Sequence, residues 1–365
     1  MKKKIVIASV LKPIDDVRAY WKLSQSIAKT NKYEVNIIGN TSKKAIRHEN
    51  IMFHSHDLFR TNWIKRIIVR EEILWKILKI KPDILIITTP ELLNAALISR
   101  MLTGCRIIYD VQENYYINAT RINPNPAKIL YGFIIRLKEL IAQPFIAEYW
   151  LAEACYERQL DFAQGKNIII ENKAFTHTLK KSKTDQINVL FSGTISRYGG
   201  VEKAIDFYKE ILKIRPHSAM NIIGQIHDLK LKAKLESESK RLPSLYLNIS
   251  LNPIPYNEIL AAIENANLGI IGYEPNRVNE EKIPTKLYEY SRYKLPYLVQ
   301  ADTHWSQIGK RLGGAIPVDF DDINVNEISE ILKNPSNLFP KSYPIEATWE
   351  SESLKVSTSL NNLSR

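Results

Sequence analysis

Only two cysteines, Cys105 and Cys155, occur in 365 residues, both in largely apolar surroundings. A disulfide framework and a cysteine-based metal site are therefore excluded, and a reducing compartment fits. Long hydrophobic runs are missing too: no stretch reaches the ~18 uncharged apolar residues that a membrane-spanning helix needs. The basic start Met1-Lys-Lys-Lys4 leads into only about six apolar residues, short of the h-region of a signal peptide, so this segment reads as a first strand. The seven histidines are scattered without paired ligand spacing, so no zinc site is expected. The three spaced glycines of a nicotinamide fingerprint are absent, as are repeats and low-complexity tracts. A cytoplasmic protein with no metal and no cofactor is the expectation.

Charge of one sign is concentrated in one half. Residues 1 to 175 hold 27 Lys and Arg against 17 Asp and Glu, or +10, whereas residues 176 to 365 hold 24 against 22, or +2, which together give the net +12. A one-sided basic surface points to an anionic partner: nucleic acid, anionic lipid or a phosphorylated acceptor. No aromatic-interleaved basic motif or recognition helix is present, so nucleic acid is not expected. From Arg60 to Lys81 seven Lys or Arg face only Glu71 and Glu72. Ile64, Ile67, Ile68, Leu74, Trp75 and Leu78 form one helical stripe there, with Arg66, Arg70, Lys76 and Lys79 mainly away from it. This basic amphipathic helix either packs on a core with a solvated basic face or rests on the inner face of an anionic membrane. The segment Ala127 to Ile141 is apolar on most sides yet charged and short, which leaves a buried helix or a membrane-surface helix.

Apolar runs of strand length alternate with helix-period segments throughout, the pattern of parallel sheets covered by helices on both faces. The first series of strands falls near residues 4–10, 34–38, 50–55, 83–88, 105–111, 149–153 and 167–171, and the second near 187–193, 219–224, 244–249, 267–273, 296–300 and 314–318. The polar stretch Thr176 to Gln186 separates the two, a second linker is expected near Pro335 to Pro344, and Trp349 to Leu363 reads as a helix that packs back on the first domain. The expected domains are 1–175, 187–340 and a terminal helix within 345–365. A length of 365 residues agrees with two domains.

The chemistry concentrates in the second half. Glu281-Lys-Ile-Pro284-Thr285-Lys286-Leu287-Tyr-Glu289 follows the apolar run Leu268 to Tyr273. Proline suits a helix start, and the first turn leaves N–H donors and partial positive charge for a diphosphate. Glu289, one turn further on, is placed to accept both hydroxyls of a ribose, and Glu281, in the preceding loop, to face a sugar beyond the diphosphate. A second strand-to-helix loop, Ser192-Gly193-Thr194-Ile-Ser-Arg197-Tyr-Gly199-Gly200, offers glycines and another helix start. Its bland reading is an ordinary turn. Gly224-Gln225 ends the next strand and Ile254-Pro-Tyr256 enters a helix, where main-chain groups either read a base edge or simply make turns. Loops at the carboxyl ends of parallel strands line one ligand crevice. Asp319-Phe-Asp321-Asp322 and Asp15-Asp16 look like acidic metal sites but follow apolar runs, where aspartate is favoured as a helix cap.

These blocks in this order, with Lys294-Leu-Pro-Tyr297 behind them, resemble the donor domain of family 4 glycosyltransferases, retaining enzymes of the GT-B fold. Pro13-Ile-Asp-Asp16-Val-Arg18, Thr89-Pro-Glu-Leu-Leu93 and Ile107 to Asn114 agree in the first half. The resemblance implies an α/β chain of two Rossmann-like, doubly wound parallel-sheet domains facing a cleft. It also implies a hexosyl transfer from a nucleotide-diphosphate sugar to an acceptor, independent of metal, with retention by same-face attack. A lipid-linked precursor of a surface glycan is the acceptor expected from the charge asymmetry. Glu289 matches the ribose-binding carboxylate, Glu281 the carboxylate beside the donor sugar, and Gly193 and Gly200 the phosphate-loop glycines. The remaining donor contacts fall on Thr194, Gly199, Gly224, Gln225, Ile254, Tyr256, Pro284, Thr285 and Leu287, and the acceptor contacts on Asp16, Arg18, Gln112, Glu113 and Asn114. The family's usual arginine and lysine fall on Thr194 and Gly199, so Arg197 and Lys286, with Lys282 nearby, are the expected replacements. The histidines that relatives carry are replaced around Thr88, Thr89 and Gln112, which leaves a non-catalytic sugar-nucleotide-binding or scaffold protein of this fold as the alternative.

Overall fold

The computed structural model describes residues 2–42, 47–58, 63–122, 124–176, 179, 186–242 and 244–364. Most of the expected linker 176–186, and residues 60–62 at the start of the basic segment, lie outside them. The chain divides into two compact units, Met1–Asn172 with Trp349–Arg365, and Lys173–Thr348.

Unit 1 is built on a seven-stranded, wholly parallel sheet: β1 (Lys3–Pro13), β2 (Tyr33–Asn40), β3 (Ile51–His56), β4 (Ile84–Ile87), β5 (Arg106–Val111), β6 (Ile146–Leu151) and β7 (Asn167–Ile169). The strand order is β3-β2-β1-β4-β5-β6-β7. A π-helical stretch, Val17–Ser24, runs into α1 (Gln25–Lys29). The other helices are α2 (Trp63–Ile80), α3 (Leu93–Thr103), α4 (Tyr115–Arg121), α5 (Pro126–Ala142) and α6 (Tyr156–Gln159). In unit 2, β8 (Asn188–Ile195), β9 (Ala219–Ile226), β10 (Leu245–Ser250), β11 (Leu268–Ile271), β12 (Tyr297–Gln300) and β13 (Ala315–Val318) form a parallel sheet ordered β10-β9-β8-β11-β12-β13. Its helices are α7 (Val201–Ile214), α8 (Leu229–Arg241), α9 (Tyr256–Asn265), α10 (Thr285–Arg292), α11 (His304–Leu312) and α12 (Val325–Ile331), and α13 (Trp349–Leu363) returns to unit 1.

Both strand series expected from the sequence are present. Ile84–Ile87 and Leu268–Ile271 are buried along their whole length, as strands covered on both faces must be. In each sheet the order reverses beside the first strand, at β1/β4 and at β8/β11, the topological switch point of doubly wound sheets.

The segment expected as a second linker belongs to unit 2. Phe339 packs against Gly314, Gly314 N–H donates to Leu338 O, Tyr343 lies under the Arg292 guanidinium, and Ala174 bridges to Thr348. Within unit 1, α13 is fixed by Trp349 Nε1 donating to Ser26 Oγ at 2.9 Å and by Glu352 Oε2 accepting from Glu171 N at 3.1 Å. Among the described residues no helix is long and apolar enough to cross a membrane.

Two expectations about helices change. The core-facing stripe of α2 is Val69, Ile73 and Ile77, while Ile67, Ile68 and Trp75 are exposed. Arg66 pairs with Glu91 across to the start of α3, and Lys76 with Glu72. Segment 127–141 is not a buried helix, since α5 exposes most of its large side chains.

Candidate functional site

The loop after β8 and the loop after β11 leave from the two central strands of unit 2, at their carboxyl ends. Gly193, Gly200, Gly224 and Gly272 allow the main chain to close there. A β-carbon on Gly200 would stand 1.9 Å from Gly272 O, and one on Gly224 would stand 1.7 Å from Gly193 O, so neither position admits a side chain without moving backbone. Gly193, with φ +113°, lies under Lys286: a β-carbon there would meet Lys286 Cε and Nζ at 2.8 Å. Thus Lys286, on the first turn of α10, reaches the glycine at the end of β8.

Three helix starts face this edge without a capping side chain: α7 at Gly200, α9 at Pro255 and α10 at Pro284. By contrast α8, α11 and α12 are capped by Asp228, Thr303 and Asn324. Uncapped first turns leave N–H donors and positive dipole ends for an anion. Pro284 occupies the cap position with ψ 129°, so the helix begins at Thr285, one residue later than its proline implies.

Glu289 is 2 % exposed, and its Oε2 makes no hydrogen bond of ordinary geometry. Its charge bears on Tyr256, whose hydroxyl is pushed up, first by burial and then by Glu289. α10 is held on the sheet by Tyr290, whose hydroxyl shares a hydrogen bond with Ser192 Oγ at 2.9 Å, and by Ser291 Oγ with Tyr297 at 2.9 Å. Leu287 is fully buried beneath them. Helix rotation is thereby fixed, and with it the direction of Glu289 and Lys286. Gln225 Nε2 donates to Leu251 O at 2.8 Å, tying the end of β9 to the loop that carries half-buried Ile254.

The other expected residues divide. Glu281 is exposed on the turn before α10, and that turn is anchored by Trp305 Nε1 donating to Lys282 O at 2.7 Å. Arg197 turns toward Glu202 and Asp228, at 3.7 and 3.8 Å, so of the two replacement cations only Lys286 lies over Gly193. Thr194 is exposed, and Gly199 N–H donates to Ser196 Oγ. Ser192, Tyr290 and Trp305 escape a sequence reading because their partners lie on other elements. Asp319 and Asp321 do not open a helix: Asp319 Oδ1 accepts from Asp321 N–H within a turn, Asp321 pairs with Lys203, and Asn324 supplies the cap.

In unit 1 the expected acceptor residues are largely engaged with one another. Asp16 caps the Val17–Ser24 helix, accepting from the N–H groups of Arg18 and Ala19. Arg18 is 3 % exposed and forks onto Asp110 at 2.6–3.0 Å, with Nη1 donating to Ile170 O and Asn172 Oδ1. Gln112 Nε2 donates to Asp110 Oδ2 at 2.8 Å, and Asn114 caps α4. Glu113 is exposed and accepts from Asn118.

No family model and no curated protein matches the sequence. Solved structures do match. The chain is similar to sucrose-phosphate synthase from Thermosynechococcus elongatus, with TM-score 0.70 and 12% identity over 99% of both chains. The fold is GT-B. It is also similar to HepE from Anabaena in complex with UDP-glucose, with TM-score 0.63 and 10% identity over 98% of this chain and 99% of that one. A third GT-B likeness is to a putative UDP-N-acetylglucosamine 2-epimerase from Listeria monocytogenes, with TM-score 0.62 and 12% identity over 99% and 96% of the two chains.

Proposed function

We propose that this protein is a retaining, metal-independent glycosyltransferase of the family 4 type, which moves a hexosyl group from a nucleoside-diphosphate sugar to a lipid-linked glycan precursor. Unit 2 holds the donor and unit 1 serves the acceptor. The observation that carries the reading is Lys286 lying over Gly193 between uncapped helix starts, one turn before the buried carboxylate of Glu289, which faces the Tyr256 hydroxyl and whose Oε2 makes no hydrogen bond of ordinary geometry. A carboxylate beyond a cationic, N–H-rich crevice matches a ligand with two neighbouring hydroxyls next to a diphosphate. Similar solved structures in complex with UDP-glucose, with UDP and glucose, and with ADP and acarbose support the same ligand class.

In the reaction Lys286 and the helix starts stabilise the negative charge that grows on the departing diphosphate. Glu289 holds the ribose, and Glu281 faces the transferred sugar. The departing phosphate oxygen takes the acceptor proton as the hydroxyl attacks the same face of the sugar. Incubation with a panel of nucleotide sugars and lipid-linked acceptors tests this. Released nucleoside diphosphate with glycosylated product is expected, whereas binding without turnover on any acceptor would leave the non-catalytic alternative.

A further inference from the structure

α5 is amphipathic in the reverse of the usual sense. Its inward stripe is Gly132, Ile135, Glu139 and Ala142, all buried. Its outward stripe is Leu130, Phe133, Ile134, Leu137, Leu140 and Ile141, between 44 and 62 % exposed. A helix of a free-standing globular unit turns its large apolar side chains inward, and here they follow one another at helical spacing on the solvent side. Neighbouring α3, which packs against α5, adds Ile98 at 41 %, Met101 at 83 % and Leu102 at 68 %. Single exposed apolar residues are ordinary, but nine of them on two helices in contact mark a surface that meets something apolar.

Charge identifies the partner. α3, α4 and α5 together carry Arg100, Arg121, Lys128 and Lys138, while Arg136 turns toward Glu139 and Asp161 and the one acid of these helices, Glu139, is buried. Two copies meeting through α5 would bring like-charged rims together, whereas an anionic bilayer neutralises them while its acyl region takes the apolar row. α5 spans 17 residues and carries four charged groups, so it lies on a bilayer rather than through one.

We propose that the α3–α5 face of unit 1 is a membrane-docking surface, with Leu130, Phe133, Leu137 and Ile141 entering the headgroup boundary of an anionic bilayer and Lys128 and Lys138 meeting its phosphates. The proposal deepens the acceptor half of the proposed function, on which it rests for its purpose. It moves the expected contact from the basic face of α2, where Arg66 and Lys76 are paired, to α5.

The test uses the full chain with phosphatidylcholine vesicles, with and without phosphatidylglycerol. Wild type is expected to sediment with the phosphatidylglycerol vesicles. Phe133→Ser with Leu137→Ser should lower the bound fraction about tenfold or more at every salt concentration, because the apolar term is unscreened. Lys128→Glu with Lys138→Glu should lower it mainly at low salt, and Arg70→Glu with Lys79→Glu should lower it less. Phe133, Leu137, Lys128 and Lys79 are exposed and Lys138 and Arg70 half-buried, so unchanged thermal melting checks folding. Wild-type-like binding by the Phe133/Leu137 pair overturns the proposal, and so does a wild type that ignores both vesicles. Loss of a concentration-dependent dimer in that pair, without vesicle binding by wild type, would assign the face to a second copy instead. Titration with nucleoside diphosphates is read separately: its failure in wild type removes the donor-site reading and leaves the membrane result standing.

Discussion

Lys286, on α10, lies across Gly193, on β8, so closely that a methyl group on Gly193 would meet its Cε and Nζ at 2.8 Å. With φ at +113°, Gly193 also occupies a conformation that L-residues rarely adopt. Gly193→Ala should therefore displace the ammonium as well as strain the loop. Lys286→Ala removes the charge alone, and the loss of a charged hydrogen bond, about 1.5–3 kcal/mol, corresponds to a roughly 10- to 100-fold weaker nucleoside-diphosphate affinity. Calorimetric titration checks it. Affinity for the bare nucleoside should be unchanged, and an equal loss there would show that Lys286 does not act on phosphate.

Glu289 separates binding from stability. Glu289→Gln keeps the shape while removing a buried charge whose Oε2 has no hydrogen bond of ordinary geometry, so the melting temperature should hold or rise. Affinity for a nucleotide sugar should fall by about tenfold or more as charge-assisted bonds to hydroxyls are lost. A lower melting temperature with intact affinity would make Glu289 structural and undo the donor site.

Arg18 is expected to matter through folding. Its fork onto Asp110, which is fully buried, is the central ion pair of unit 1. Arg18→Met strands Asp110 without its partner, at a cost of about 3–5 kcal/mol. Arg18→Lys restores charge without the fork and recovers only part of it. Urea unfolding midpoints check both, and a midpoint equal to wild type for Arg18→Met would contradict the assignment.

Glu139 should give the protein a pH-dependent stability. Burial pushes its carboxyl from the usual 4.5 up to about 7, against the opposing pull of Arg136 and the hydrogen bond from Tyr109. The folded protein therefore holds a proton that the unfolded chain has released. Its stabilising effect is fully present below about pH 4.5 and is lost as pH rises through about 7, a change of about 3 kcal/mol. Glu139→Gln keeps an acceptor for Tyr109 and should flatten that slope, leaving the variant more stable than wild type above pH 7. Denaturant unfolding across this range measures it, and parallel curves for the two proteins would show that Glu139 does not titrate there.

The sequence by itself determined the two series of parallel strands, because runs such as Ile84–Ile87 and Leu268–Ile271 are too apolar and too short for anything but strands buried on both faces. It also determined the helix start to within one residue of Pro284 and the cap at Asp16, since both depend on neighbours in the chain. Only the tertiary structure decided which cation meets the glycine loop: Arg197 is nearer in sequence but is drawn to Glu202 and Asp228, while Lys286 arrives from a separate strand-helix unit. It likewise decided that Arg18 turns inward to Asp110 and that α5 presents Leu137 rather than Glu139 to the outside. Periodicity tells which residues share a helix face, but when more than one face is apolar, the face turned inward is chosen by the shape and partners of the sheet beneath it, which local sequence does not encode.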